Sequence, residues 1–152
     1  MKPIHEYTSA NYIKKIDSED RFVAIEDLAK VFEGTEICSN IDKLVSALKE
    51  REEIMSTGIG CNIAIPHAKI PEVKDIAYAI GVSKKGIDFD SMDGNPVHLV
   101  ILVVAGEKQH KDYLSLLSNI MAFLKDPAIK DSVINAENPQ QVFEILMSAQ
   151  AR

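Results

Sequence analysis

The segment STGIGCNIAIPHAK, from Ser56 to Lys69, ends a strand-like run on Pro66-His67. Proline fixes its own φ and pushes Ile65 toward an extended conformation. His67 is thus presented from a stiff strand end and shares parity with Ile63 and Ile65. A histidine beside a strand often serves packing alone, and local sequence leaves both the structural and the functional reading open. Three chemistries could use such a ring. A Ser–His–Asp hydrolase would carry a GxSxG elbow, which is absent. Metal hydrolysis would need HExxH or a tight cluster of His and Asp ligands, also absent. Phosphoryl transfer through the imidazole needs less. The attacking nitrogen must be neutral, which an unperturbed pKa of about 6.5 provides at neutral pH. The transferred group then needs a few donors and a cation. Arg51, His110 and the amides or hydroxyls of Ser56–Gly60, with Ser56 and Thr57 foremost, are the candidates.

The other motifs say less. Gly58 and Gly60 suggest a phosphate cradle, but GxxxxGK[ST] is absent and the element order is the reverse of a GxGxxG site, so a turn with positive φ is preferred. His98 lies inside the most apolar segment and is expected to be hydrogen-bonded in or beside the core. His5 is expected to be solvated. His110 follows the long strand as His67 follows its own, so the two could meet at one edge of a sheet.

The elements that position these residues follow from periodicity. Residues 1–20 are polar and weakly patterned. Ile25, Leu28, Ala29 and Phe32 recur at helical spacing up to Gly34. Ser39-Asn-Ile-Asp42 reads as a capping box opening a helix with Ile41, Leu44, Val45 and Leu48 on one face. Asn62–Ile65 reads as a short strand ended by Pro66, Ile76–Val82 as another, and Gly86–Asp90 as an extended piece before the Asp93–Pro96 turn. Val97–Ala105 (VHLVILVVA) is a continuous β-branched run, as in a central strand buried on both faces. Leu114, Leu117, Ile120, Met121 and Leu124 mark a helix ending near Lys125. Asp126-Pro127 and Asn138-Pro139 each read as an N-cap with proline at the first helical position, starting helices over 127–135 and 139–149. The sum is a single α/β domain, a sheet of four or five strands with helices on both faces.

Composition narrows the classes. The chain has 152 residues, about one domain. Its net charge is −6 with no basic block, which argues against nucleic acid as a partner. No apolar run approaches the ~18 residues of a membrane span, and no secretory segment opens the chain, so the expected location is cytoplasmic. Cys38 and Cys61 have no metal-binding or disulfide-framework spacing and are expected to be reduced and mostly buried, Cys61 packing with the parity of Ile63.

These motifs, in order, resemble the fructose/mannitol/nitrogen-type enzyme IIA of the bacterial phosphoenolpyruvate:sugar phosphotransferase system. The resemblance runs from about Ile25 to Leu146 through Leu48-Lys-Glu-Arg51-Glu, Ser56-Thr-Gly-Ile-Gly60, Ala64-Ile-Pro-His67-Ala, Gly86-Ile-Asp-Phe, Asp93-Gly-Asn-Pro-Val97 and His110-Lys-Asp-Tyr-Leu-Ser-Leu-Leu. It implies a mixed five-stranded sheet and a single enzyme IIA domain over residues 1–152. It implies that His67 accepts phosphate from the carrier protein HPr and passes it to an enzyme IIB. His110 would hydrogen-bond the acceptor ring or its phosphoryl group, and Arg51 would balance phosphate charge. No metal and no other cofactor is implied. Cys61 and Asn62 depart from the family, which commonly has glycine or other small residues there. The chain stops at Arg152 without an attached enzyme IIB or membrane segment, so the acceptor is expected on another chain. A regulatory relative, signalling by the phosphorylation state of His67, is the alternative.

Overall fold

In the computed structural model, residues 2–149 are described. The apolar run at Val97–Ala105 forms β6, and the sheet is built outward from it. To one side, β6 pairs antiparallel with the long β5 (Ala77–Ile87), and β5 pairs parallel with a short β1 (Ile13–Lys15). On the other side, two short strands lie end to end along β6, both parallel to it: β3 (Ile63–Ala64) and β4 (His67–Lys69). A short β2 (Gly58–Gly60) pairs antiparallel with β3. The sheet is therefore mixed, with six strands in five positions.

Alternation along β6 sorts the core. Val100, Leu102 and Val104 face the layer of α1 (Arg21–Ala29) and α2 (Ile41–Ile54). Leu99, Ile101, Val103 and Ala105 face α3 (His110–Leu124), α4 (Pro127–Ile134) and α5 (Pro139–Met147). Helices thus cover both faces, as expected for a strand apolar at every position. Each fully buried Val, Leu or Ile contributes about 1.5–3 kcal/mol by leaving water. Asp126 and Asn138 cap α4 and α5 with proline at the first helical position, as expected.

Several expectations are corrected. The N-terminal segment, weakly patterned in sequence, is tied into the fold: Ile4, Ile13 and Ile16 are buried, and β1 closes one edge of the sheet. Its polar residues hid the strand because only alternate positions face the core. His5 is not solvated; its ring packs edge-on against Phe143 at 6.1 Å, and Nδ1 is buried. The N-cap of α2 is Asn40, which accepts from the Lys43 N–H at 3.2 Å, while Ser39 bonds the Glu72 carbonyl. On α3 the buried stripe is Tyr113, Leu116, Ile120 and Leu124, and Leu114 is exposed. The two pieces read over 76–90 merge into β5, whose pairing shifts between Val82 and Ile87.

The β2–β3 connection corrects the reading of Cys61. It is a two-residue hairpin loop in which Cys61 (φ 57°) and Asn62 (φ 65°) both adopt left-handed backbone. That geometry favours Gly and Asn. It also carries the Cys61 side chain out of the core, so Cys61 is exposed while Cys38 is buried. Lys130 of α4 steadies the loop by donating to the Cys61 carbonyl at 2.8 Å.

Candidate functional site

Pro66 interrupts the run from β3 into β4 without ending it. Ile63 pairs with Leu99 and His67 with Val103, a spacing of four on both strands, so the register runs through the proline unshifted. Pro66 has no N–H to lend to the ladder, but its carbonyl still accepts from the Val103 N–H at 3.0 Å. His67 therefore keeps the face of Ile63 and Ile65, the face covered by α3, and is half-buried there.

The break leaves the Ile65 carbonyl available, and His67 Nδ1 lies 2.8 Å from it. A carbonyl can only accept, so Nδ1 carries the ring proton. In the neutral ring the lone pair is then on Nε2, the nitrogen free to attack an electrophile.

The neighbours come from three elements, α2, β4 and α3. Tyr113 of α3 packs against the His67 ring, centroids 5.9 Å apart. Lys69, two residues along β4, places its ammonium 5.6 Å from the centre of the Tyr113 ring and 2.5 Å from His110 Nδ1. His110, at the start of α3, is linked to His67 through Lys69 and Tyr113. Arg51, in the last turn of α2, donates from Nη1 to the Met55 carbonyl at 2.8 Å.

Ser56 and Thr57 connect α2 to β2, and their groups are engaged differently. The Ser56 hydroxyl donates to the Phe89 carbonyl and accepts the Gly58 N–H at 3.0 Å, so its proton is directed into the loop. Thr57 is buried; its N–H goes to Glu52 and its carbonyl accepts from Ile65 N. Thr57 Oγ1 is buried without a hydrogen-bond partner.

The sequence family described as "Phosphoenolpyruvate-dependent sugar phosphotransferase system, EIIA 2" matches residues 6–149. The chain belongs to this family. Among relatives of this EIIA 2 chain, the PTS system fructose-specific EIIABC component of Bacillus subtilis is 33% identical over 144 residues, which are 94% of this chain and 23% of that protein. The chain thus spans about a quarter of that relative's length. A nitrogen regulatory protein of Bradyrhizobium diazoefficiens is 32% identical over 133 residues, covering 87% of this chain and 84% of that one. Nitrogen Regulatory Protein IIA-Ntr from Neisseria meningitidis has the same fold, with a TM-score of 0.87 and 25% identity over 95% of this chain and 99% of that chain. The same fold recurs in the complex of enzyme IIAMTL and phosphorylated enzyme IIBMTL from Escherichia coli, at a TM-score of 0.79 and 18% identity over 91% and 96% of the two chains. Among the described residues, no helix is long and apolar enough to cross a membrane.

The electrostatics of the EIIA 2 site favour a neutral ring. Burial lowers the pKa of His67 below the ordinary histidine value. The Arg51 and Lys69 charges act in the same direction, while the Ile65 carbonyl and the Glu52 carboxylate oppose them. Burial also raises the Tyr113 pKa well above the usual phenol range, against the pull of Arg51, so the phenol keeps its proton.

Three residues around His67 were not among the candidates read from sequence: Lys69, Tyr113 and Glu52. The Glu52 side chain is wholly buried, takes the Thr57 N–H at 3.2 and 3.0 Å on its two oxygens, and pairs with Arg21 Nε at 3.5 Å. It continues the buried stripe of Leu44 and Leu48 on α2. A carboxylate at a core position was the available signal. Lys69 was legible only as a residue two positions beyond His67 on one strand face, and Tyr113 only as one turn beyond His110.

Proposed function

We propose that this chain is a phosphocarrier that takes a phosphoryl group on His67 Nε2 from a phosphorylated HPr-type protein and passes it to an enzyme IIB. The observation carrying this reading is the Ile65 carbonyl held 2.8 Å from Nδ1, which leaves Nε2 as the nucleophile. The Nε2 lone pair attacks phosphorus in line. The new N–P bond forms as the donor's bond to phosphorus breaks and its electron pair returns to the donor. The Nδ1 proton stays against the Ile65 carbonyl, so the phosphorylated ring is cationic and a better leaving group for the onward transfer. Arg51 and Lys69 offset charge on the phosphoryl oxygens. His110 positions Lys69, and Thr57 Oγ1 is a hydroxyl with a donor to spare. A protein of this fold has been solved with its phosphorylated IIB, which supports the same kind of acceptor here.

The test is incubation with phosphoenolpyruvate, enzyme I and HPr. Wild type should take up one acid-labile phosphate, assigned to Nε2 by NMR, and His67→Ala none. Equal labelling of His67→Ala, or phosphate on Nδ1, refutes the assignment.

A second reading rests on likeness to regulatory relatives. A nitrogen regulatory protein is 32% identical over 87% of this chain, and Nitrogen Regulatory Protein IIA-Ntr shares its fold at a TM-score of 0.87. On that reading the phosphoryl charge on His67 switches docking to a regulatory target. Transfer from the phosphorylated chain to the host's enzyme IIB proteins separates the two: fast transfer to one of them supports sugar transport, and none supports regulation.

A further inference from the structure

A pocket of about 250 Å³ opens on the same face of the sheet as His67 but at its opposite end. Its floor is Ile13 of β1, Val82 of β5, Val133 of α4 and Val142 of α5, all buried. Strand register places it far from the phosphoryl site. Lys15 pairs with Val82 and Val82 with Leu99, four residues along β6 from the partner of His67. With about 3.3 Å per residue and 4.8 Å between strands, the separation is roughly 20 Å.

The rim inverts the charge of the molecule. In a chain of net charge −6, the residues lining this pocket include Lys14, Lys15, Lys84 and Lys85 against a single acid, Asp17. Lys14 points to the other face and is paired with Asp27 at 2.8 Å. Lys15, Lys84 and Lys85 are exposed and in no ion pair among the described residues. The C-terminal end of α4 and the N-terminal end of α5 both border the pocket, so their opposed helix dipoles largely cancel and the lysines set its sign.

We infer that this pocket binds a small organic anion with an apolar body, its acid group held by Lys15 and Lys84 and its hydrocarbon part seated among Ile13, Val82, Val133 and Val142. An apolar floor beneath a few convergent charges is the usual make-up of a small-molecule site, and the volume is below the ~300–1,000 Å³ of pockets for drug-sized ligands. Ammonium groups act as point charges without the bidentate geometry of arginine. Selection therefore rests on an anion joined to a hydrocarbon, and neither part alone should suffice.

The experiment titrates the isotopically labelled full chain with hexanoate, hexan-1-ol and acetate, following amide shifts by NMR. Hexanoate should give saturable shifts at residues 13–15, 82–85, 133 and 142, and bind about tenfold or more tightly than either other probe, a difference near 1.4 kcal/mol. The double variant Lys15→Glu/Lys84→Glu should lose hexanoate binding while keeping a dispersed spectrum and phosphorylation at His67. Lys84→Ala, a mild change on an exposed side chain, should weaken hexanoate binding several-fold and serves if the double variant does not fold. Hexan-1-ol binding as tightly as hexanoate reduces the pocket to an apolar hole. Acetate binding as tightly reduces it to a charged patch. Either result overturns the inference, as does unsaturable hexanoate binding or undiminished binding by the variants. The outcome is independent of whether His67 carries phosphate.

Discussion

Glu52→Gln isolates the charge of a buried group that ties α2 to the loop before β2. The substitution keeps the shape and one carbonyl oxygen for the Thr57 N–H, but it removes the negative charge facing Arg21 at 3.5 Å. Losing a charge-assisted hydrogen bond costs about 1.5–3 kcal/mol. The Arg21 side chain is 24% exposed and stays partly hydrated, which holds the loss below the ~3–5 kcal/mol of breaking a fully buried pair. A destabilisation of about 2–3 kcal/mol lowers Tm by roughly 5–10 °C in a protein of this size. A second readout separates the site from the scaffold. The Glu52 charge raises the His67 pKa, so its removal should move the His67 titration, followed by NMR of the ring protons, to lower pH. Glu53→Gln, on the exposed neighbour, is the control and should change neither quantity. Stability within about 0.5 kcal/mol of wild type, together with an unmoved His67 titration, would refute the role assigned to Glu52.

His67→Gln should remove a pH dependence whose sign is set by burial. The folded-state pKa of His67 lies below its unfolded value, so its stabilising contribution is complete above about pH 6.5 and is lost as pH falls through the folded value; urea melts at stepped pH should be flatter in the variant. His110→Ala and Lys69→Ala should resemble each other, because the two side chains are joined at 2.5 Å. Both should still accept phosphate but pass it on slowly in stopped transfer assays, and normal onward rates in either would remove the pair from the mechanism. Cys61→Gly should raise stability by about 1 kcal/mol, since only the left-handed backbone cost is removed and the side chain is exposed. A drop in urea midpoint would mean that the thiol makes a contact of its own.

Periodicity alone determined much of this protein. The β-branched run at 97–105 reads as a strand buried on both faces, and the Asp-Pro and Asn-Pro pairs read as two helix starts, because these signals are local and steric. Proline beside His67 likewise announced a stiffly held ring. Tertiary structure decided which groups lie around that ring. The continuous register across Pro66 keeps His67 on the α3 face, where Tyr113 packs against it and Lys69 lies between Tyr113 and His110. The packing of α2 turns Glu52 inward to hold Thr57, and the loop turns the Ser56 hydroxyl toward Phe89 instead. A short polar strand such as β1 and a carboxylate on a core stripe have no strong local pattern. Their meaning depends on partners 67 residues away, as Ile13 pairs with Ile80, or on a backbone N–H that only the folded loop supplies.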